Sequence, residues 1–136
     1  MIKPELSKKN ECWLEKHRYY ELKHFALQYP TWRRLRNALD GLSRRPIEIY
    51  VYSYTGEHGD PTAACAAARE RFTARMKLVE DAVRDAAPDL YPYLLVGVTE
   101  NVTYDILKAR SNIPCSRVSY YEAYRRFFWY LNSSRN

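Results

Sequence analysis

Between Thr103 and Leu131 the chain carries the spacing of two helices joined by a tight turn. That spacing restricts the fold to one in which both helices bury a shared face. The apolar anchors fall at Leu107, Ile113, Val118 and Tyr121. Asn112 suits the turn because Asn tolerates positive φ better than most residues. Pro114 keeps the first helix from continuing, and Cys115-Ser116 can open the second with Ser at or near its N-cap. The expectation is a helix-turn-helix. Its second helix would show Cys115, Ser116, Arg117, Ser119 and Tyr120 on its outer first turns, the part of this motif that meets base edges. Lys108 stands where the motif normally has a small residue at a close helix crossing, and Ser111 where a larger apolar residue is common. Either the first helix is shifted by a residue or the crossing is looser. The alternative is two ordinary packed helices with a Pro-marked turn.

Along the second helix, Val118, Tyr121, Tyr124, Phe128 and Leu131 make one apolar stripe expected to be buried. Phe127, Trp129 and Tyr130 then project elsewhere and call for another surface, either the N-terminal helices or a dimer interface. Arg117 is placed to reach a base edge or a phosphate, with Ser116, Ser119 and Tyr120 as hydrogen-bonding neighbours. Arg125 and Arg126 lie two turns further on, where phosphate contact is the expected role.

The rest of the chain reads mainly as helix. Residues 1–46 are expected to form a helical hairpin, with Ser7 as N-cap of a helix running to about Gln28. Tyr29-Pro30 ends that helix, and Pro30 can sit in the first turn of the next, whose Trp32, Leu35, Leu39 and Leu42 form an amphipathic face. Residues 47–60 read as an extended arm and loop. Ile47 to Thr55 is β-branched and aromatic with alternating character, yet no second strand is available to pair with it. Residues 61–98 hold the central helices: Asp60 caps and Pro61 opens a long one, and Pro88 to Pro92 restarts a shorter one. Cys65, Ala68, Phe72, Met76, Val79, Val83 and Ala86 follow a 3-4 spacing on the long helix, which suits a core stripe or a dimeric seam. Residues 99–136 carry the helix-turn-helix.

At 136 residues the chain has room for one domain, or one small domain with an extended arm, and 46% apolar residues supply a core. Its net charge of +6 is unevenly spread. Residues 1–46 hold 11 basic and 5 acidic side chains, residues 47–102 hold 5 and 9, and residues 103–136 hold 6 and 2. Two basic ends flank an acidic middle, so a polyanion would be engaged by the ends in a salt-dependent way. The other reading of those charges is simple solvation of amphipathic helices.

Other chemistry finds little support. Cys12, Cys65 and Cys115 are odd in number, widely spaced and without a CxxC, as expected for reduced thiols in a cytoplasmic protein. His17 and His24 are seven residues apart and are read as semi-buried helix residues, not metal ligands. His58 and Asp60 invite an acid–base reading, but a capping role explains Asp60 before Pro61. The glycines form no phosphate loop, and no apolar run approaches a bilayer span. The expectation is a protein with no catalytic residue, metal site, cofactor or membrane segment.

With a Tyr29-Pro30 helix followed by Leu35, Leu39 and Leu42, a spacer containing His58-Gly-Asp-Pro-Thr62, a long helix and this helix-turn-helix, the layout resembles the RinA/ArpU type of small phage and prophage transcriptional regulators, whose helix-turn-helix is like sigma region 4, and related prophage proteins. The resemblance implies a regulator that binds double-stranded DNA, with Ser116, Arg117, Ser119 and Tyr120 as the DNA-facing residues. Lys108 and the strand-like 47–55 segment depart from that pattern. The overall expectation is an all-α, homodimeric, sequence-specific DNA-binding protein. Two alternatives come from other classes: a phage DNA-packaging or assembly component anchored by the motif, and a module that contacts RNA polymerase.

Overall fold

The computed structural model describes residues 10–39 and 61–135, and among these every regular element is helical. The chain is all-α, as the periodicity predicts. The elements are α1 (Lys16–Leu27), α2 (Tyr29–Asn37), α3 (Pro61–Ala86), a single 3₁₀ turn (Pro88–Leu90), α4 (Tyr91–Glu100), α5 (Tyr104–Ser111) and α6 (Arg117–Ser134). Ser7, Leu42, the 47–55 segment, His58 and Asp60 lie outside the described residues.

The described chain divides into two compact units, one of Met1–Gln28 with Leu78–Asn136 and one of Tyr29–Lys77. The two helices expected as an N-terminal hairpin therefore belong to different units. In the first unit α1 packs on α4 and α6, and α4 also packs on α5 and α6. Leu22, Leu94, Val98, Ile113, Tyr120, Phe127, Phe128 and Leu131 are its fully buried large side chains, joined by Val79 and Val83 from the end of α3. In the second unit Trp32, Phe72 and Met76 are buried, and the Arg75 guanidinium lies 5.9 Å from the centre of the Trp32 ring.

The long stripe on α3 behaves as its spacing predicts: Ala68, Phe72, Met76, Val79, Val83 and Ala86 are all buried, with Cys65 half-buried. The first helix is shorter than expected. It begins at Lys16, where Glu15 rather than an upstream serine caps it by accepting from the backbone N–H groups of His17 (3.0 Å) and Arg18 (3.2 Å). Those two donors hold the Glu15 carboxyl below its ordinary range. His17 and His24 are exposed, not semi-buried. Tyr19, Leu22, Lys23 and Ala26 occupy the inner face of α1 instead, and burial lowers the Lys23 ammonium pKa. Gln28 closes α1, and Tyr29 and Pro30 open α2, as the Tyr-Pro pair predicts.

Candidate nucleic-acid interface

Local rules build the segment from Thr103 to Arg117. The Thr103 hydroxyl accepts from the N–H of Ile106 and starts α5. Asn112 ends α5 in the left-handed region at φ 50°, its N–H returning to the Lys108 carbonyl. Ile113 then plugs the turn, fully buried. Ser116 caps α6 by accepting from the Ser119 N–H at 3.2 Å. Left-handed Asn112, buried Ile113 and N-cap Ser116 all match the reading of the sequence. Lys108 does not spoil the turn: it is exposed, and its Nζ donates to the Ile113 carbonyl at 3.3 Å.

The close helix crossing that the motif normally assigns to the position of Lys108 lies elsewhere. Asn101, at φ 55°, ends α4 in the same left-handed way and leads the chain into α5. Gly97, on α4, faces Tyr120 so closely that a Cβ added there would meet the Tyr120 Oη at 1.9 Å. Tyr120 is accordingly 0% exposed. Its ring packs against Tyr104, Tyr121 and Tyr124, and its hydroxyl has no hydrogen-bond partner. Burial raises the pKa of that phenol well above the usual value. The expectation that Tyr120 faces outward is thus corrected.

Val118 is corrected in the opposite sense. It is 68% exposed, not a buried anchor. A three-residue step turns a helix by only about 300°, so the run Val118-Tyr121-Tyr124 drifts about 60° per step away from a constant face. The buried arc of α6 centres instead on Tyr120, Tyr124, Phe127 and Leu131, with Tyr121, Ala123 and Phe128 beside it. Val118 falls almost opposite. Phe127, read as surplus, is wholly buried, whereas Trp129 and Tyr130 are each 38% exposed.

The remaining site residues fall into three groups. Ser116, Arg117 and Ser119 are exposed at the start of α6, and Cys115 is half-buried, its thiol pKa raised by burial. Arg117 is not loose. Its Nη2 pairs with the Asp105 carboxylate of α5, and its guanidinium carbon lies 5.5 Å from the centre of the Tyr104 ring. Tyr104 is itself tied at both ends: its backbone N–H donates to the Tyr121 Oη at 3.2 Å, and its hydroxyl donates to the Cys115 carbonyl at 2.6 Å. Further along, Arg126 Nε donates to the Ala86 carbonyl at 2.9 Å, satisfying an open carbonyl at the end of α3. Arg125 is half-buried, and its Nε has no hydrogen-bond partner.

Sequence reasoning missed Val118, Glu122 and Asp105 as outer-surface groups; all three are exposed, Asp105 on the first turn of α5 and Val118 and Glu122 on the first two turns of α6. A helical projection centred on Tyr120 would have placed the first two. Among the described residues no set of three or more His, Cys, Asp or Glu is arranged to hold a metal ion. Among them, too, no helix is long and apolar enough to cross a membrane. Comparison of this chain with protein-family models, with curated proteins and with solved structures gives no match.

Proposed function

We propose that this protein is a sequence-specific, double-stranded-DNA-binding transcriptional regulator of the phage and prophage kind, acting as a homodimer through α5 and α6. The observation that carries the reading is the pair of capped helix starts around left-handed Asn112, which leaves Ser116, Arg117, Val118 and Ser119 exposed together on the first turn of α6. Those residues are two hydroxyls, a guanidinium and one apolar group, a set that suits a major-groove edge of acceptors, donors and thymine methyls. Arg125 contributes phosphate contact in this reading, while Arg126 serves chiefly to finish α3.

A second reading has the motif grip a partner such as RNA polymerase, and it draws on Ile106 (40% exposed) and Val118, apolar groups on the outer side of the motif. Selection of random duplex DNA on the purified chain at about 150 mM salt separates the two. Enrichment of a motif, in two half-sites for a dimer, is expected for the regulator. Weak binding without sequence preference would instead favour the protein-binding module or a packaging component.

A further inference from the structure

From the arrangement of Arg117, Asp105 and Tyr104 we infer that Asp105 is a positioning residue that makes Arg117 a reader of guanine and not a phosphate clamp. The inference rests on the DNA-binding reading above and specifies how its site works.

The first turns of α5 and α6 meet at this trio. Asp105 takes the Nη2 of the Arg117 guanidinium, whose central carbon lies 5.5 Å from the centre of the Tyr104 ring. Tyr104 cannot swing away, because its hydroxyl and backbone N–H are both held by the α6 side of the motif. The Arg117 side chain nevertheless remains 56% exposed, so donors not used by Asp105 stay available. A guanidinium carries five N–H donors in a rigid plane. Restraining that plane before binding lowers the ordering cost of a bidentate contact.

Charge decides which acceptor it suits. Arg117 and Asp105 together are neutral. A neutral pair releases little counterion on meeting a phosphate, and the carboxylate repels that phosphate. Guanine O6 and N7 are neutral acceptors spaced for a planar fork, and a bidentate contact to them needs geometry more than net charge. The acid beside Arg117 therefore lowers affinity for the DNA backbone while favouring one base. Lys108 and Arg126 hydrogen-bond the Ile113 and Ala86 carbonyls and keep their positive charge, a background that is the same in every variant compared.

The test uses full-length protein and the duplex motif obtained by selection, with each G·C pair replaced in turn and affinity measured over a range of salt. Arg117→Ala combined with Asp105→Asn removes both charges of the pair, so it should erase the preference at one G·C position and leave the slope of log affinity against log salt unchanged. Asp105→Asn, which keeps the shape of the side chain, should weaken the same preference about two- to fivefold, as expected for loss of an exposed ion pair. It should also tighten binding to random duplex and steepen the salt slope by up to about one. In the Arg117→Ala background Asp105→Asn should no longer affect base preference. A loss of affinity that is uniform across sequences in the doubly substituted protein, with a shallower salt slope, would overturn the inference in favour of a phosphate contact. Unchanged preference in Asp105→Asn would overturn the role of Asp105. A selected motif with no position dependent on Arg117 defeats this inference alone, whereas failure to select any motif defeats the DNA-binding reading together with it.

Discussion

The two faces of α6 follow different rules. Its inner face, from Tyr120 through Leu131, is aromatic and apolar and packs on α1 and α4; Phe128 meets Tyr19 of α1 edge-on at 4.9 Å and stacks edge-on with its own neighbour Tyr124 at 5.0 Å. Its outer first turn is made of exposed Ser116, Arg117, Val118 and Ser119, whose contacts are local: Ser116 with Ser119, and Arg117 with Asp105 and Tyr104. The inner face sets the rotation of the helix, and the outer face receives whatever that rotation presents. A residue's place in the sequence motif therefore says less about its exposure than its angle relative to the Tyr120 contact.

Alkali should break the contrast most severely. Burial raises the phenol pKa values of Tyr19, Tyr120 and Tyr124 above the ordinary 10.0. A folded-state value above the unfolded one gives stability that is fully present below pH 10 and is lost as pH rises beyond it, because the unfolded chain releases protons that the folded chain keeps. Unfolding followed by circular dichroism should coincide with a late, cooperative step in tyrosinate absorbance. If all the tyrosines ionise gradually near pH 10 while the helices persist, the inner face is not closed as described.

A smaller effect is expected at the crossing of α4 and α6. Gly97→Ala introduces overpacking of about 1–3 kcal/mol, partly offset by up to about 1 kcal/mol of better helix propensity. The net should be a loss of about 1–2 kcal/mol in urea unfolding. Tyr120→Phe removes both the clashing atom and an unpaired buried hydroxyl, so alone it should be neutral or stabilising by about 1 kcal/mol. Combined with Gly97→Ala it should recover much of the loss. Strictly additive effects would mean that the two residues do not share one crossing.

The smallest expected effect sharpens the contrast from outside. Val118→Ser should change stability by less than about 0.5 kcal/mol, since the side chain is exposed. A loss above 1 kcal/mol in thermal unfolding would show that Val118 is covered in solution, as by a second copy of the chain, and would return it to the role of a buried anchor.

What the sequence by itself determined is local. Asn112 tolerates positive φ, Pro114 bars helix continuation, and Ser116 satisfies open N–H groups, so the turn between α5 and α6 could be read from a few adjacent residues. The stripe from Ala68 to Ala86 was legible for a similar reason, since its 3-4 spacing holds one face over several turns. Glu15 as the N-cap of α1 was not legible, because Glu is an uncommon cap and Ser7 offered a commoner one. Tertiary structure decided which way α6 faces. Tyr and Val are both acceptable at the surface or in a core, so residue type left the facing open, even though the arc through Tyr120 holds one face better than the run through Val118. Gly97, far back on α4, broke the tie by opening room for the Tyr120 ring alone, and that contact turned Val118 outward. The same rotation brought Arg117 onto Tyr104 and Asp105, an arrangement that no spacing within α6 encodes, since two of its three members belong to α5.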